Sequence, residues 1–374
     1  MPSTTPSTRP TALVIGGTGP TGPYVVNGLV ARGFDVTVLH SGRHELAEVD
    51  HVPHLHGDVF STDGLLAVLG DRTFDVVVGM YGRLRSVAEV LVGRTGHLVT
   101  VGGVPAYRGY FDAGRWSPAG LPVPTPEDAP KSDEGDDGKS YRIARTEAIL
   151  FELHPAATHF RYPYVYGPRQ PTPREWTVVR RILDGRRHMI IPDDGLTLIT
   201  HGYVENLAHA LLLAVERPDA AAGQAFNAAD EECLTIRQVA ELIAEELGHE
   251  LELVSMPASL APVTKPLLQA ASPTHRLMDL GKLKHLLGYR DLVPARQAVR
   301  LAARWLTEHR PEPGGMEERV LEDPFDYAAE DALVSWWRGV QASAPTLTWA
   351  GAEPGYGLAY GGPGSTYVRP DTRI

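Results

Sequence analysis

Two residues one helical turn apart open the chemical reading. In GKSYRIARTEAILF, Gly138 to Phe151, Tyr141 stands four positions before Arg145. On a helix this spacing brings a phenol and a permanently charged guanidinium onto neighbouring positions of one face. An unshifted phenol, with a pKa of about 10, is a poor base at neutral pH, and a cation beside it favours phenolate. The pair is a candidate acid–base couple. The plainer alternative is an aromatic packed in the first helical turn, with its arginine reaching solvent.

A second stretch carries a different chemistry. VIGGTGPTG places Gly16, Gly19 and Gly22 in a GxxGxxG arrangement between an apolar run and a helical pattern. Glycines there permit a tight turn and let a pyrophosphate approach the backbone N–H groups of a helix N-terminus. Thr18 and Thr21 are candidate extra donors, with Pro20 between them in the turn. The ribose 2'-hydroxyl of NAD is usually read by a carboxylate after the second strand. Here that strand ends VLHSGRHE, so His40 and Ser41 take the place, Glu45 comes late, and Arg43 can face a 2'-phosphate. The reading is NADP in preference to NAD. Asp58, in HGDV, suits an adenine amino group.

The elements that must position these residues follow from the pattern. Short apolar runs (TALVIGG, FDVTVLH, HVPHLHGDV, FDVVVGM, GHLVTVGG) alternate with helical segments. That alternation predicts an α/β fold, a doubly wound parallel sheet. From Pro105 to Lys139 the chain is rich in Gly, Pro and Asp and reads as a long loop. Its carboxylates, Glu127, Asp128, Asp133, Glu134, Asp136 and Asp137, read mainly as a solvated acidic surface, with a base among them as the alternative. Later helices are expected over PREWTVVRRILDG, VENLAHALLLAVERP, TIRQVAELIAEELG (Thr235 as its cap) and FDYAAEDALVSWWRG. The expected division is a disordered leader over 1–10, a mainly dinucleotide-binding domain over 11–168, a mainly substrate-binding domain over 169–312 and an extension over 313–374. In that extension Trp336 and Trp337 are expected to pack on the folded body or on a second subunit.

Composition narrows the function. A net charge of −11 disfavours nonspecific nucleic-acid binding, which needs a basic footprint. The one cysteine, Cys233, allows no internal disulfide and no cysteine metal cluster. The 15 histidines are scattered without an HExxH spacing, so no metal site is expected. MPSTTPSTRP lacks the charged and apolar regions of a signal peptide, and no long apolar run suggests a membrane span. The expectation is a cytoplasmic protein with a small-molecule substrate. For that substrate, Arg169, Arg174, Arg180, Arg181, Arg186 and Arg187 offer positive charge, and Trp176 and His201 a less polar wall.

Taken together, GGTGPTG with GDV, YRIARTE, RYPYVYGP and HGYVENLAHALLLA resemble the extended short-chain dehydrogenase/reductases. Within them the chain is similar to the NAD-dependent epimerase/dehydratase group and its atypical relatives, over about residues 11–305. The resemblance implies a Rossmann-type dinucleotide-binding domain with a smaller C-terminal substrate domain, an NAD(P) cofactor and often a homodimer. It makes Tyr141 the catalytic tyrosine and puts Arg145 where the family has a lysine that bonds the nicotinamide ribose. It puts Gly103 where the family has a serine or threonine, leaving Thr100 as the nearest hydroxyl. Tyr81 and Arg83, in GMYGR, would enter the cofactor or substrate site. Pro163, Tyr164 and Val165, after Arg161, would hold the nicotinamide amide, and Glu205 and Asn206 fall at a paired acidic position. The implied activity is oxidoreduction or epimerisation at a hydroxyl or carbonyl. A dinucleotide-binding isomerase, lyase or cyclase, and a non-catalytic NADP-binding sensor or structural protein, are the alternatives. The family also has plastid relatives that act on RNA, which the acidic balance argues against here.

Overall fold

The computed structural model describes residues 9–80, 83–270 and 273–348, with positions 350 and 364. The expected leader falls largely outside the described residues. Among the described residues the strands are β1 (Thr11–Ile15), β2 (Asp35–His40), β3 (His54–His56), β4 (Phe74–Gly79), β5 (Thr95–Gly103), β6 (Thr158–Tyr162), β7 (Tyr164–Tyr166), β8 (His188–Pro192), β9 (His201–Tyr203), β10 (Ala225–Asn227) and β11 (Glu252–Met256). The first helices are α1 (Gly22–Ala31), α2 (Thr62–Leu69), α3 (Leu84–Val90), α4 (Gly138–Leu153), α5 (Trp176–Leu183), α6 (Val204–Glu216) and α7 (Pro218–Ala221). They are followed by α8 (Ile236–Glu246), α9 (Lys265–Leu268), α10 (Gly281–Leu287), α11 (Ala295–Glu308), α12 (Met316–Leu321) and α13 (Tyr327–Ala342).

The central sheet has seven parallel strands in the order β10-β6-β5-β4-β1-β2-β3. Strand direction of growth reverses between β1 and β4, the crevice where such sheets bind ligands. Alternation along each strand divides the core. Ala12 and Val14 join the cluster under α1 and α6, while Leu13 and Ile15 join the one under α2, α3 and α4. Both faces are covered, which is why the strands read as continuous apolar runs rather than alternating ones.

A second core gathers α5, α8 and α11 around Trp176, Ile191, Ile243 and Leu306. There β8 pairs with β11, and β7 with β9. The stretch LTLIT between β8 and β9 is irregular, with isolated bridges at Leu198 and Ile199. Thr235 does cap α8, in a reciprocal box with Gln238. Residues after Pro313 do not leave this core at once: Glu318 accepts from Trp176 Nε1 (2.9 Å), and Asp323 pairs with the buried Arg181 (2.7 Å). The chain divides into compact units after Tyr327. In the second unit, Trp336 is half exposed and its ring centroid lies 6.0 Å from that of Trp337. Among the described residues no helix is long and apolar enough to cross a membrane.

The long loop is irregular but ordered by its own polar contacts. Arg115 pairs with Asp136 (2.7 Å) and Trp116 Nε1 donates to Arg108 O (2.7 Å). Asp137 ends it by accepting from Lys139 N and Ser140 N, which starts α4.

Candidate functional site

The glycine loop joins β1 to α1 at the reversal point. Gly16 has φ +90°, a conformation side chains rarely adopt. At Gly22 an added Cβ would lie 2.2 Å from the Gly17 carbonyl oxygen, so the helix can pack on the loop only with glycine there. Such a cradle fits a pyrophosphate on the helix N-terminus. Thr18, Gly19 and Pro20 lie half-buried at the loop. Thr21 does not join them: it is buried, and its hydroxyl faces Met80 Sδ (3.5 Å), inward from the loop.

The end of the crevice expected to take the adenosine is open and charged. Asp58 accepts from Phe60 N (2.8 Å) and Ser61 Oγ (2.7 Å), and these bonds, with Arg83 and Arg43 nearby, hold its carboxyl below the usual range. Arg43 is exposed in the turn after β2. Arg83 corrects its assignment as a substrate residue. It stands at this end, its N–H donating to Val59 O and its charge acting on Asp58, because the loop after β4 meets the segment that follows β3. Tyr81 lies outside the described residues.

At the other end a cleft of about 530 Å³ opens beside Pro163, Tyr164 and Val165. Val104 and Pro105 wall it from the end of β5, Tyr110 and Phe111 from the long loop; Lys139 and Arg174 supply positive charge, and Lys265 pairs with Glu322, which also lines the cleft. Arg174 is the informative one. It is buried, its guanidinium lies 3.6 Å from the Tyr164 ring centroid, and its Nη2 has no partner among the described residues. The neighbouring arginines are already neutralised: Arg169 by Glu48, Arg180 by Asp184 and Glu318, Arg181 by Asp323. Glu175, beside Arg174, does not do this fully, since burial pushes its carboxyl up to about 7.

Beneath the cleft a closed network fixes β6 to α4. Arg161 makes a two-pronged pair with Glu147 (2.8 and 2.7 Å) and donates to Tyr107 Oη (2.6 Å), whose own hydroxyl donates to Asn227 Oδ1 (2.6 Å). Burial alone would raise the Glu147 carboxyl, but Arg161 overrides it and holds it at about 2. Thr100 lies in this layer, fully buried, with its hydroxyl held by Thr158 O (3.2 Å) and His159 Nδ1 (2.8 Å). It has no exposed surface to offer a substrate, which corrects its candidacy as a catalytic hydroxyl.

Residues 151–229 match the family model described as the NAD dependent epimerase/dehydratase family. Over that segment the chain is similar to the NAD-dependent epimerase/dehydratase family. It is 26% identical over 298 residues to the chloroplast stem-loop binding protein of 41 kDa b from Arabidopsis thaliana, covering 75% of this chain and 76% of that protein. It is 26% identical over 268 residues to a 3-diazoavenalumate denitrifying reductase from a Streptomyces species, covering 67% and 85%. The fold is that of a UDP-glucose 4-epimerase from Thermotoga maritima solved with UDP-glucose, with a TM-score of 0.65, 19% identity and coverage of 80% of this chain and all of that one. A UDP-glucuronic acid 4-epimerase from Bacillus cereus, solved with its substrate and NAD, gives a TM-score of 0.62 at 15% identity, with 80% and 99% coverage.

Against the family pattern, the tyrosine helix departs most. The buried stripe of α4 is Ser140, Ala144, Glu147 and Leu150, with Tyr141 and Arg145 one step round the helix. Tyr141 donates to Glu134 Oε1 (2.9 Å), and that bond raises its pKa where phenolate chemistry would need it lowered. Arg145 is exposed, and neither residue lines the cleft. The residue of α4 that does is Lys139, two positions earlier. Trp176 is also corrected: it is buried in the second core with its indole N–H on Glu318, not in a pocket wall. His201 sits behind the cleft, 3.4 Å from Arg174 Nη1, with its ring edge-on to Tyr164, and burial with Arg174 and Arg276 keeps it neutral, at about 3. Asn206 is a buried tie that donates to Asp230 and Val293 O and accepts from the Leu292 and Val293 N–H groups.

Proposed function

We propose that the protein is an NADP-dependent oxidoreductase or epimerase acting on a hydroxyl or carbonyl of an anionic small metabolite. The observation that carries this is the buried Arg174, with a guanidinium nitrogen that has no partner among the described residues, in the wall of a cleft that also presents Lys139. A buried cation costs stability unless an anion completes it, and a substrate phosphate or carboxylate is the group that fits.

The glycine loop would hold the pyrophosphate, Asp58 the adenine, Arg43 and Arg83 a 2'-phosphate, and Pro163 to Val165 the nicotinamide amide. When bound, the dinucleotide supplies or accepts the hydride. The chain's own work is to anchor the substrate anion at Arg174 and to set Lys139 as the proton donor at the substrate oxygen. Tyr164 and Phe111 restrict water at the reacting carbon. Tyr141, on Glu134, stays outside this step.

A second reading, dinucleotide binding without turnover, is favoured by the Tyr141–Glu134 bond and by Gly103 standing where the family has a hydroxyl. One experiment tests both. The NADPH-saturated protein is titrated with nucleotide-diphosphate sugars and aromatic carboxylates while reduced-nicotinamide absorbance is followed. Ligand binding and turnover that both disappear in Arg174→Met support the first reading. Tight NADPH binding with no turnover on either class supports the second. Failure to bind any dinucleotide overturns both.

A further inference from the structure

The second and third strands bring together residues that the sequence leaves apart. Strand β2 ends on His40, which pairs in register with His56 of β3, and His54 lies two residues back on β3, on the same face. The connecting loop returns Glu45 over the three rings. Glu45 Oε2 lies 3.6 Å from His40 Nε2 and 3.4 Å from His54 Nδ1, its Oε1 lies 3.1 Å from His56 Nε2, and His40 Nε2 lies 2.9 Å from His54 Nδ1. One donor atom from each residue falls within 4.8 Å of all the others. Donors around a tetrahedral zinc ion, with bonds of roughly 2.0–2.1 Å, stand about 3.3 Å apart, and the measured separations straddle that value.

We propose that His40, Glu45, His54 and His56 form a site for one divalent transition-metal ion, zinc in the first instance. Three imidazoles and a carboxylate suit zinc and its neighbours far better than calcium or magnesium, which take oxygen ligands. The rings are already set edge-on to one another, with centroids 4.7 to 6.2 Å apart. His54 has the outer partner a ligating histidine needs: its Nε2 faces Val49 O at 3.0 Å, which leaves Nδ1 as the ligand. Gly42 N donates to His40 Nδ1 (3.3 Å), which puts the ring proton on Nε2, toward His54. Binding moves that proton to Nδ1, gives up the long Gly42 contact and frees Nε2 for the ion. Glu45 and His56 are half exposed, so an ion can enter from solvent. The loaded site would clip the loop from Ser41 to Leu46, which carries Arg43, onto β3.

The test uses the full chain after treatment with EDTA and dialysis. Zinc chloride is titrated by calorimetry, cobalt chloride by visible absorption, and the melting temperature is read with and without zinc. The expected result is one ion per chain, an intense tetrahedral cobalt band and a higher melting temperature with zinc. In a Glu45→Gln/His56→Ala variant, affinity should fall at least about tenfold, the loss that even an outer partner produces. Both replaced residues are half exposed, so an unchanged melting temperature in EDTA certifies the fold. His51→Ala, an exposed histidine outside the cluster, should bind as wild type does. No saturable binding by the wild type, affinity undiminished in the double variant, or a weak six-coordinate cobalt spectrum would each overturn the proposal.

Discussion

The two ends of the crevice over the sheet hold charge in opposite ways. At the adenosine end, Arg43 is exposed and Asp58 is fixed by two local contacts, with Phe60 and Ser61, within three residues of itself. At the cleft end, Arg161, Glu147 and Arg174 are buried, and their partners come from segments many residues away. In water-accessible surroundings a cation is weak but adaptable, while a buried one is strong only when its geometry is complete. Under the proposed function, dinucleotide choice would lie at the open end and substrate choice at the closed one.

The comparison breaks most sharply at the loop that serves both ends. Gly22→Val puts side-chain atoms where the Gly17 carbonyl stands, 2.2 Å from the first added carbon, and no flexible side chain is there to yield. Dinucleotide binding should fall below detection by calorimetry, with circular dichroism and a lowered melting temperature reporting how far α1 has shifted. Retained NADPH affinity would show that the loop is not the pyrophosphate cradle.

The closed end is tested through its ion pair. Glu147→Gln leaves Arg161 buried with half a partner, a change that typically costs about 3–5 kcal/mol. Urea unfolding should show this loss near neutral pH. The sign with pH follows from the carboxyl: it is held at about 2, below its ordinary value of 4.5. Its contribution is therefore complete above pH 4.5 and is lost as pH falls toward 2, so wild type and variant should converge in acid. A constant gap down to pH 2 would mean that the carboxylate is not held by charge.

This difference also explains what the sequence made legible. The glycine loop, the five strands that begin the sheet and the Thr235 cap are local patterns, set by neighbours within a few residues. The cleft is not local. Lys139, Arg174 and Lys265 come from α4, the turn before α5, and α9, and nothing in their spacing says that they meet. Sequence did offer Arg174 among six arginines, but only its burial in the cleft wall and the carboxylate partners of Arg169, Arg180 and Arg181 single it out. Trp176 and Thr100 misled for the complementary reason: their side chains suit a site, and packing turned them into core. The His40, His54 and His56 group was missed because the search was for helical spacing. The available signal was the i, i+2 pair on a strand beside a strand that ends in histidine.

At the open end, Arg43→Ala and Arg83→Ala should each weaken NADPH more than NADH. Exposed charge-assisted contacts to a phosphate are worth on the order of 1–3 kcal/mol, so the combined variant should lose roughly tenfold or more in its preference. Calorimetry with both dinucleotides at two salt concentrations checks this, since exposed contacts weaken as salt rises. An unchanged ratio would remove the 2'-phosphate from this end.

The smallest effect is expected where the sequence first pointed. Tyr141→Phe removes only the hydroxyl. In the family's usual arrangement that hydroxyl transfers the proton, and its loss typically costs about 10² to 10⁴ in rate. Here the phenol donates to Glu134, its pKa is raised by that bond, and Lys139 is the residue of α4 that lines the cleft. Turnover on whichever substrate the anion screen yields should therefore change less than about tenfold in Tyr141→Phe, and fall by the larger factor in Lys139→Met. Glu134→Gln sharpens the point. It keeps an acceptor for the phenol but removes the charge, so the tyrosine pKa should drop toward its ordinary value, readable as an earlier onset of tyrosinate absorbance. If turnover then rises at alkaline pH, Glu134 is a brake on a working tyrosine and the family's acid has been masked. If turnover is indifferent, α4 has handed its chemistry from its phenol to the lysine at its first turn.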